Sequence, residues 1–203
     1  MLLIEDIMVS PPMDGETIDP AALFGSPGPF ELEIGFGKGG FLLNRARAHP
    51  EVRLLGIEWA NKYYRSCADR MVRWKVENVR VMRADAKVLV IAHLPPDCLS
   101  VLHVYHPDPW PKKRHHKRRL IQKDFVEAAV RSLMHGGRWL VQTDHAEYFE
   151  QIAELLGGHE SLRKVPWGQD GYGSDPEWSG TNFEVKYLKE GRRIYRSAYV
   201  VSK

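Results

Sequence analysis

The chain is short of the features that mark membrane, secreted and metal-stapled proteins. No apolar run approaches the roughly 20 residues that a membrane-spanning helix needs, so no membrane association is expected. The first ten residues include Glu5 and Asp6, without a basic start or a long apolar middle, so no signal peptide is expected. Only two cysteines occur, Cys67 and Cys98, and neither has a second Cys or a His at zinc-finger spacing. Reduced thiols and a cytoplasmic location are the expectation, with no metal. His115 and His116 are adjacent, but no Cys or carboxylate cluster completes a metal site around them. Internal repeats and low-complexity tracts are also lacking.

What is present suits a folded domain. Of 203 residues, 43% are hydrophobic and 27% charged, a balance that argues against wholesale disorder. Net charge is only +3, but the charge is unevenly spread. Lys112, Lys113, Arg114, Lys117, Arg118 and Arg119 place six cations in eight positions.

Residues 1–29 carry Pro11, Pro12, Pro20, Pro27 and Pro29 and read as an irregular arm. From residue 30 onward, short apolar strands alternate with helical segments of about ten to sixteen residues. Strands are expected at 30–35, 52–59, 79–83, 99–105, 138–143 and 193–201. Helices are expected at 41–48, 60–75, about 117–134 (stopped by Gly136 and Gly137) and 146–156. Near-continuous apolar strands imply a sheet covered on both faces. The fold class is therefore α/β, with a doubly wound, mostly parallel sheet in a single domain over 30–203. Residues 168–180, rich in Gly, Ser, Asp and Pro, read as a long loop, and loops of that length are usually functional or mobile.

In such a sheet, ligands bind beyond the carboxyl ends of the strands. The first strand runs into Glu33, Gly35, Gly37, Gly39 and Gly40, where glycines allow a sharp turn and close approach to a ligand. The second ends at Glu58, whose carboxylate can accept hydrogen bonds from ribose hydroxyls. Together they indicate a nucleoside cofactor. Gly35, Gly37 and Gly40 also satisfy the dinucleotide pattern, so a nicotinamide-dependent oxidoreductase stays open at this point. A pyrophosphate is disfavoured beside Glu33, whereas a cofactor with a cationic methionyl end is not. The third strand leads to Asp85 and Ala86. Asp85 can accept from an adenine amino group or simply cap the next helix.

The fourth strand leads into His106, Pro107, Asp108, Pro109, Trp110 and Pro111. Three alternating prolines deny this segment both helix and ladder, and so hold Asp108 and Trp110 on a stiff loop at the ligand end. The cationic run follows at once. Next to a presumed active site, it reads as a surface for RNA phosphates, carried by Lys113, Arg114, Lys117, Arg118 and Arg119. A non-catalytic RNA-binding protein on the same fold would use these cations but not the carboxylates at the strand ends. The fifth strand leads to Thr143 and Asp144. Thr181, Asn182, Phe183 and Glu184 combine a hydroxyl, an amide, a ring and a carboxylate, a set suited to gripping a base.

These residues resemble the bacterial tRNA (guanine-N7-)-methyltransferase family. The matching pieces are 33–39, 56–58, 85–86, 107–115, 117–119, 143–144, 181–184 and 193–196, with the Asp-Pro-Trp segment and its basic run the most specific. The resemblance implies a class I methyltransferase, with a seven-stranded Rossmann-like sheet and an antiparallel last strand. It implies S-adenosylmethionine as cofactor, bound by Glu33, Gly35, Gly37, Glu58, Asp85, Ala86 and Asp108. It further implies Lys112, Asp144, Thr181, Asn182, Phe183 and Glu184 as contacts to the target guanine in the variable loop of tRNA. Monomer and homodimer both remain open. Guanine N7 offers an in-plane lone pair with no proton to remove, so Asp108 is expected to act by orientation and charge rather than as a base. His106 departs from the family pattern, and the proline-rich arm matches nothing in it.

Overall fold

The computed structural model describes residues 2–168 and 190–203. Its frame is one sheet of eight strands. In chain order they are β1 (Met8–Val9), β2 (Phe30–Ile34), β3 (Arg53–Ile57), β4 (Val79–Met82), β5 (Leu99–Tyr105), β6 (Leu133–Thr143), β7 (Leu162–Val165) and β8 (Tyr195–Val201). Their order across the sheet is β1-β4-β3-β2-β5-β6-β8-β7. All pairings are parallel up to β6; β8 lies antiparallel between β6 and β7.

The helices are built for this sheet. In α4 (Asn61–Arg73) the buried residues are Cys67, Ala68 and Met71, and in α7 (Ala146–Gly157) they are Tyr148, Ile152 and Leu156. Spacings of three and four place each set on one helix face. The first set joins α3 (Gly40–Ala48) in a core against one side of the sheet, with Leu42, Leu54, Val79 and Val81. The second joins α6 (Lys123–Ser132) on the other side, with Leu32, Leu102, Trp139 and Val141. The sheet is thus covered on both faces, as its apolar strands predict.

Three local expectations change. The arm over residues 1–29 is not wholly irregular. It carries α1 (Ile4–Ile7), β1 and α2 (Pro20–Phe24), the last capped by Asp19 with Pro20 at its first turn. Ile7 is buried in one core and Ile18 in the other, and Met8 and Val9 pair with Val81 and Met82. β1 makes an eighth strand among the described residues, where the resemblance implied seven. Next, the helix expected over about 117–134 is two pieces: a 3-10 segment at Lys113–Arg118, then α6 from Lys123. Last, Gly136 and Gly137 do not stop that helix. They lie inside β6, where the pairing slips from Leu99↔Leu133 to Val101↔Arg138. A Cβ on Gly137 would stand 2.8 Å from the Met134 carbonyl, which explains the glycine. Among the described residues no helix is long and apolar enough to cross a membrane.

Candidate active site

The chain leaves β2 on one side of the sheet and re-enters on the other at β5, so the switch point lies between these neighbours. A cleft of about 400 Å³ opens there. Gly35, Gly37, Glu58, Asp85, Ala86 and Asp108 line it, from the ends of β2, β3, β4 and β5. Six of the seven residues expected to hold the cofactor therefore meet in one place. Glu33, the seventh, does not line the cleft; it lies buried in β2, one residue before Ile34 and two before Gly35.

The turn after β2 needs its glycines. Gly35, Gly37 and Gly39 have φ of 74°, 52° and 68°, a region that side chains disfavour. At Gly39 a Cβ would also collide with the Cys67 sulfur of α4. The turn is tied down from β3: Glu58 accepts from the Gly37 and Ala60 backbone amides, both at 2.9 Å. One bond falls on each carboxylate oxygen, which leaves lone pairs for a ligand's hydroxyls. Asp85 caps the helix that begins at Ala86, accepting from the Lys87 and Val88 amides through Oδ1. The capping and ligand readings of Asp85 are compatible, because Oδ2 takes no part in the cap.

Glu33 is 2% exposed, and its Oε2 has no hydrogen-bond partner among the described residues. Burial, and then the neighbouring Glu58 carboxylate, push its pKa well above the usual carboxylate range. Burial also raises the Cys67 thiol to about 12, with a further push from Glu33, so this cysteine stays protonated. A buried carboxyl with an orphaned oxygen beside a glycine turn fits a ligand that brings a positive charge.

The loop after β5 is held under strain. His106 and Trp110 both adopt positive φ, 51° and 43°, on either side of Pro107, Asp108 and Pro109. Such backbone costs of order 1–3 kcal/mol per residue and persists only where its surroundings enforce it. Asp108 is exposed to the cleft, and Arg118 packs over the Trp110 ring at 5.0 Å. Trp59, Tyr63, Trp110, Arg118 and Leu120 complete the walls. Trp59, Tyr63 and Leu120 are lining residues that sequence reasoning missed; Tyr63 lies in the first turn of α4, where helical periodicity alone suggests packing.

The expected substrate contacts scatter more. Asp144 does not line the cleft. Its carboxylate is 3.7 Å from His106 Nδ1 and accepts from Arg192 at 2.9 Å. Lys112, Lys113, Arg114 and Lys117 are exposed beside the Asp108 loop, as a phosphate surface requires. Arg119 is a correction to the basic run. It is 2% exposed, stacked 4.8 Å over the Tyr148 ring and bonded to protein acceptors, so burial removes it from any phosphate surface. Thr181, Asn182, Phe183 and Glu184 lie outside the described residues.

A mostly parallel sheet with its carboxylates at the switch point and one reversed strand near the edge is the class I, Rossmann-like fold of S-adenosylmethionine-dependent methyltransferases. The chain superposes on a SAM-dependent O-methyltransferase from Thermotoga maritima with a TM-score of 0.56, covering 90% of this chain and 63% of that one at 15% identity. Residues 27–197 match the family model described as "Putative methyltransferase". The chain is 39% identical to a tRNA (guanine-N(7)-)-methyltransferase from Nitrosospira multiformis, over 91% of this chain and 80% of that one. It is 40% identical to a protein of the same name from Bordetella pertussis, over 92% and 72%. The chain belongs to the tRNA (guanine-N(7)-)-methyltransferase family.

Proposed function

We propose that the chain transfers a methyl group from S-adenosylmethionine to N7 of the variable-loop guanine of tRNA, acting in the cytoplasm. The observation that carries this reading is one cleft at the sheet's switch point, walled by Glu58, Asp85 and Asp108 and bordered by exposed cations. Glu58 binds the ribose hydroxyls, Asp85 the adenine amino group, and Glu33 balances the cationic methionyl end. When bound, the cofactor would supply an electrophilic methyl on a sulfonium, its sulfur keeping the electron pair of the broken bond and leaving as a neutral thioether, and the in-plane lone pair of guanine N7 has no proton for the protein to remove.

The protein's part is therefore alignment and charge. Holding two reactants in line is worth effective molarities on the order of 10⁵ M or more. Asp108, on its strained loop, accepts from the guanine N1–H and amino group and balances the charge that develops on the ring. Asp144 lends a second carboxylate, with Thr181, Asn182, Phe183, Glu184 and Lys112 gripping the target nucleotide. Lys113, Arg114, Lys117 and Arg118 take the RNA backbone.

The decisive assay is methyl transfer to an unmodified tRNA transcript, followed by nucleoside analysis. The expected product is 7-methylguanosine; a folded protein that binds S-adenosylmethionine and makes none of it overturns the reading. Asp108→Asn tests the assignment of the loop. Methyl transfer should drop on the order of 10²-fold or more while the melting temperature holds. Undiminished activity would remove Asp108 from the mechanism.

A further inference from the structure

Arg119 ends the cationic run in sequence and leaves it in space. Its five charged predecessors in the run sit on the exposed 3-10 segment or just before it; Arg119 turns inward beneath the Asp108 loop. All three guanidinium nitrogens are engaged. Nε donates to the Pro109 carbonyl at 2.8 Å. Nη1 donates to Gln151 Oε1. Nη2 lies 3.0 Å from His116 Nε2 and 3.4 Å from Glu147 Oε1. The guanidinium plane also packs on the Tyr148 ring.

Glu147, Tyr148 and Gln151 all belong to the first half of α7. The same helix fixes the chain that follows Arg119. The Ile121 amide donates to the Tyr148 hydroxyl at 3.1 Å, and Gln151 Nε2 donates to the Ile121 carbonyl at 3.3 Å. α7 itself is packed into the core through Tyr148, Ile152 and Leu156. The Asp108 loop has the opposite character. Pro107, Pro109 and Pro111 have no amide hydrogens, and the strained residues at 106 and 110 must be enforced from outside. The Pro109 carbonyl, next in the chain to Asp108, is where the fork grips it.

We infer that Arg119 is a positioning residue for methyl transfer: through the Pro109 carbonyl it transmits the rigidity of α7 to the Asp108 carboxylate. The role rests on the function proposed above, in which Asp108 aligns the guanine. A catalytic group must be held within about 0.5 Å of its productive place, and displacement by about 1 Å can lower a rate on the order of 10²-fold. A lysine cannot replace this fork. It keeps the charge but presents a flexible point donor in place of a planar one that bridges the loop and the helix.

The test is Arg119→Lys, with steady-state kinetics on unmodified tRNA, salt-dependent tRNA binding and calorimetric S-adenosylmethionine binding. The expected result is a kcat lower by about tenfold or more, with the tRNA Kd, its salt slope and the cofactor Kd each within about threefold of the unaltered chain. An unchanged kcat overturns the role. So does an unchanged kcat with weaker tRNA binding and a flatter salt slope, the signature of a phosphate contact. Gln151→Leu covers the case in which Arg119→Lys does not fold, because it leaves the arginine in place and removes one support from its fork. Assayed well below its melting temperature, where the variant is folded, it should lower kcat by about threefold or more, and an unaltered kcat there counts equally against the role. Absence of methyl transfer in the unaltered chain overturns the proposed function and this role with it. Transfer by the unaltered chain at the rate of both variants overturns this role alone.

Discussion

Glu31 and Glu33 lie two residues apart on β2, on the same face of the sheet, and each is almost fully buried. Their surroundings differ completely. Glu31 receives Arg45 through two bonds, at 3.0 and 2.7 Å, and His103 Nε2 at 2.9 Å. His103 reaches the Tyr105 hydroxyl through its other nitrogen at 2.8 Å. Glu33 has Glu58 as its charged neighbour and, among the described residues, an oxygen without a partner. Burial tends to raise both carboxyls. At Glu31 the hydrogen bonds and charge of His103 and Arg45 outweigh it and bring the pKa down to about 2, whereas at Glu33 nothing opposes it. A buried charge is tolerable when paired. One carboxylate therefore ties α3 and β5 together, and the other stays unpaired among the described residues, which is why the proposed function gives it to the cofactor.

The two carboxyls also bear on stability with opposite signs. Glu31 has a lowered folded pKa, so its contribution is present above the ordinary value of 4.5 and is lost as pH falls toward about 2. That lowering corresponds to a contribution on the order of 3 kcal/mol. Glu33 has a raised folded pKa, so the free protein loses stability as pH rises above 4.5.

Glu31→Gln should give the largest effect on this contrast. It leaves the Arg45 charge and the Arg45 and His103 donors in a buried site, burial keeping the His103 imidazole below its usual pKa, at a cost of about 3–5 kcal/mol, and should abolish the acid-limb loss between pH 4.5 and about 2. Urea unfolding across pH reads both, and a loss under about 1 kcal/mol would mean the network does not hold the sheet together. Glu33→Gln should do the reverse in the free protein. Its melting temperature should exceed that of the unaltered chain by a margin that widens above pH 4.5, while S-adenosylmethionine binds about tenfold more weakly, a loss of about 1.4 kcal/mol. Unchanged cofactor binding by calorimetry would remove Glu33 from the ligand site and make the two carboxyls alike. Tyr105→Phe should be the mildest, about 1 kcal/mol in urea unfolding, because it takes only the hydroxyl from His103.

Much of this was legible without coordinates. Periodic apolar strands set the doubly wound sheet, since only a strand covered on both faces reads as a continuous apolar run. The glycine turn, Glu58, Asp85 and the proline-held Asp108 could be found because each follows a strand, and strand ends share one edge. Glu31 could not be sorted from Glu33, because a carboxylate in a strand looks the same whether or not an arginine from α3 meets it. β1 was equally hidden: two residues in a proline-rich arm carry no period, and their pairing with Val81 and Met82 exists only once the β4 edge is built.

Local chemistry thus determined the sheet, the glycine turn after β2 and the place of Asp108 at the cleft. The partners were decided only in three dimensions. Arg119 is the plainest case: in sequence it is one more cation in a run of six, and its burial against Pro109 and Tyr148 follows from where α7 packs. The physical reason is range. Backbone preference and apolar period act over a few residues, whereas which charge is desolvated depends on groups that the chain brings together from 10 to 72 positions away.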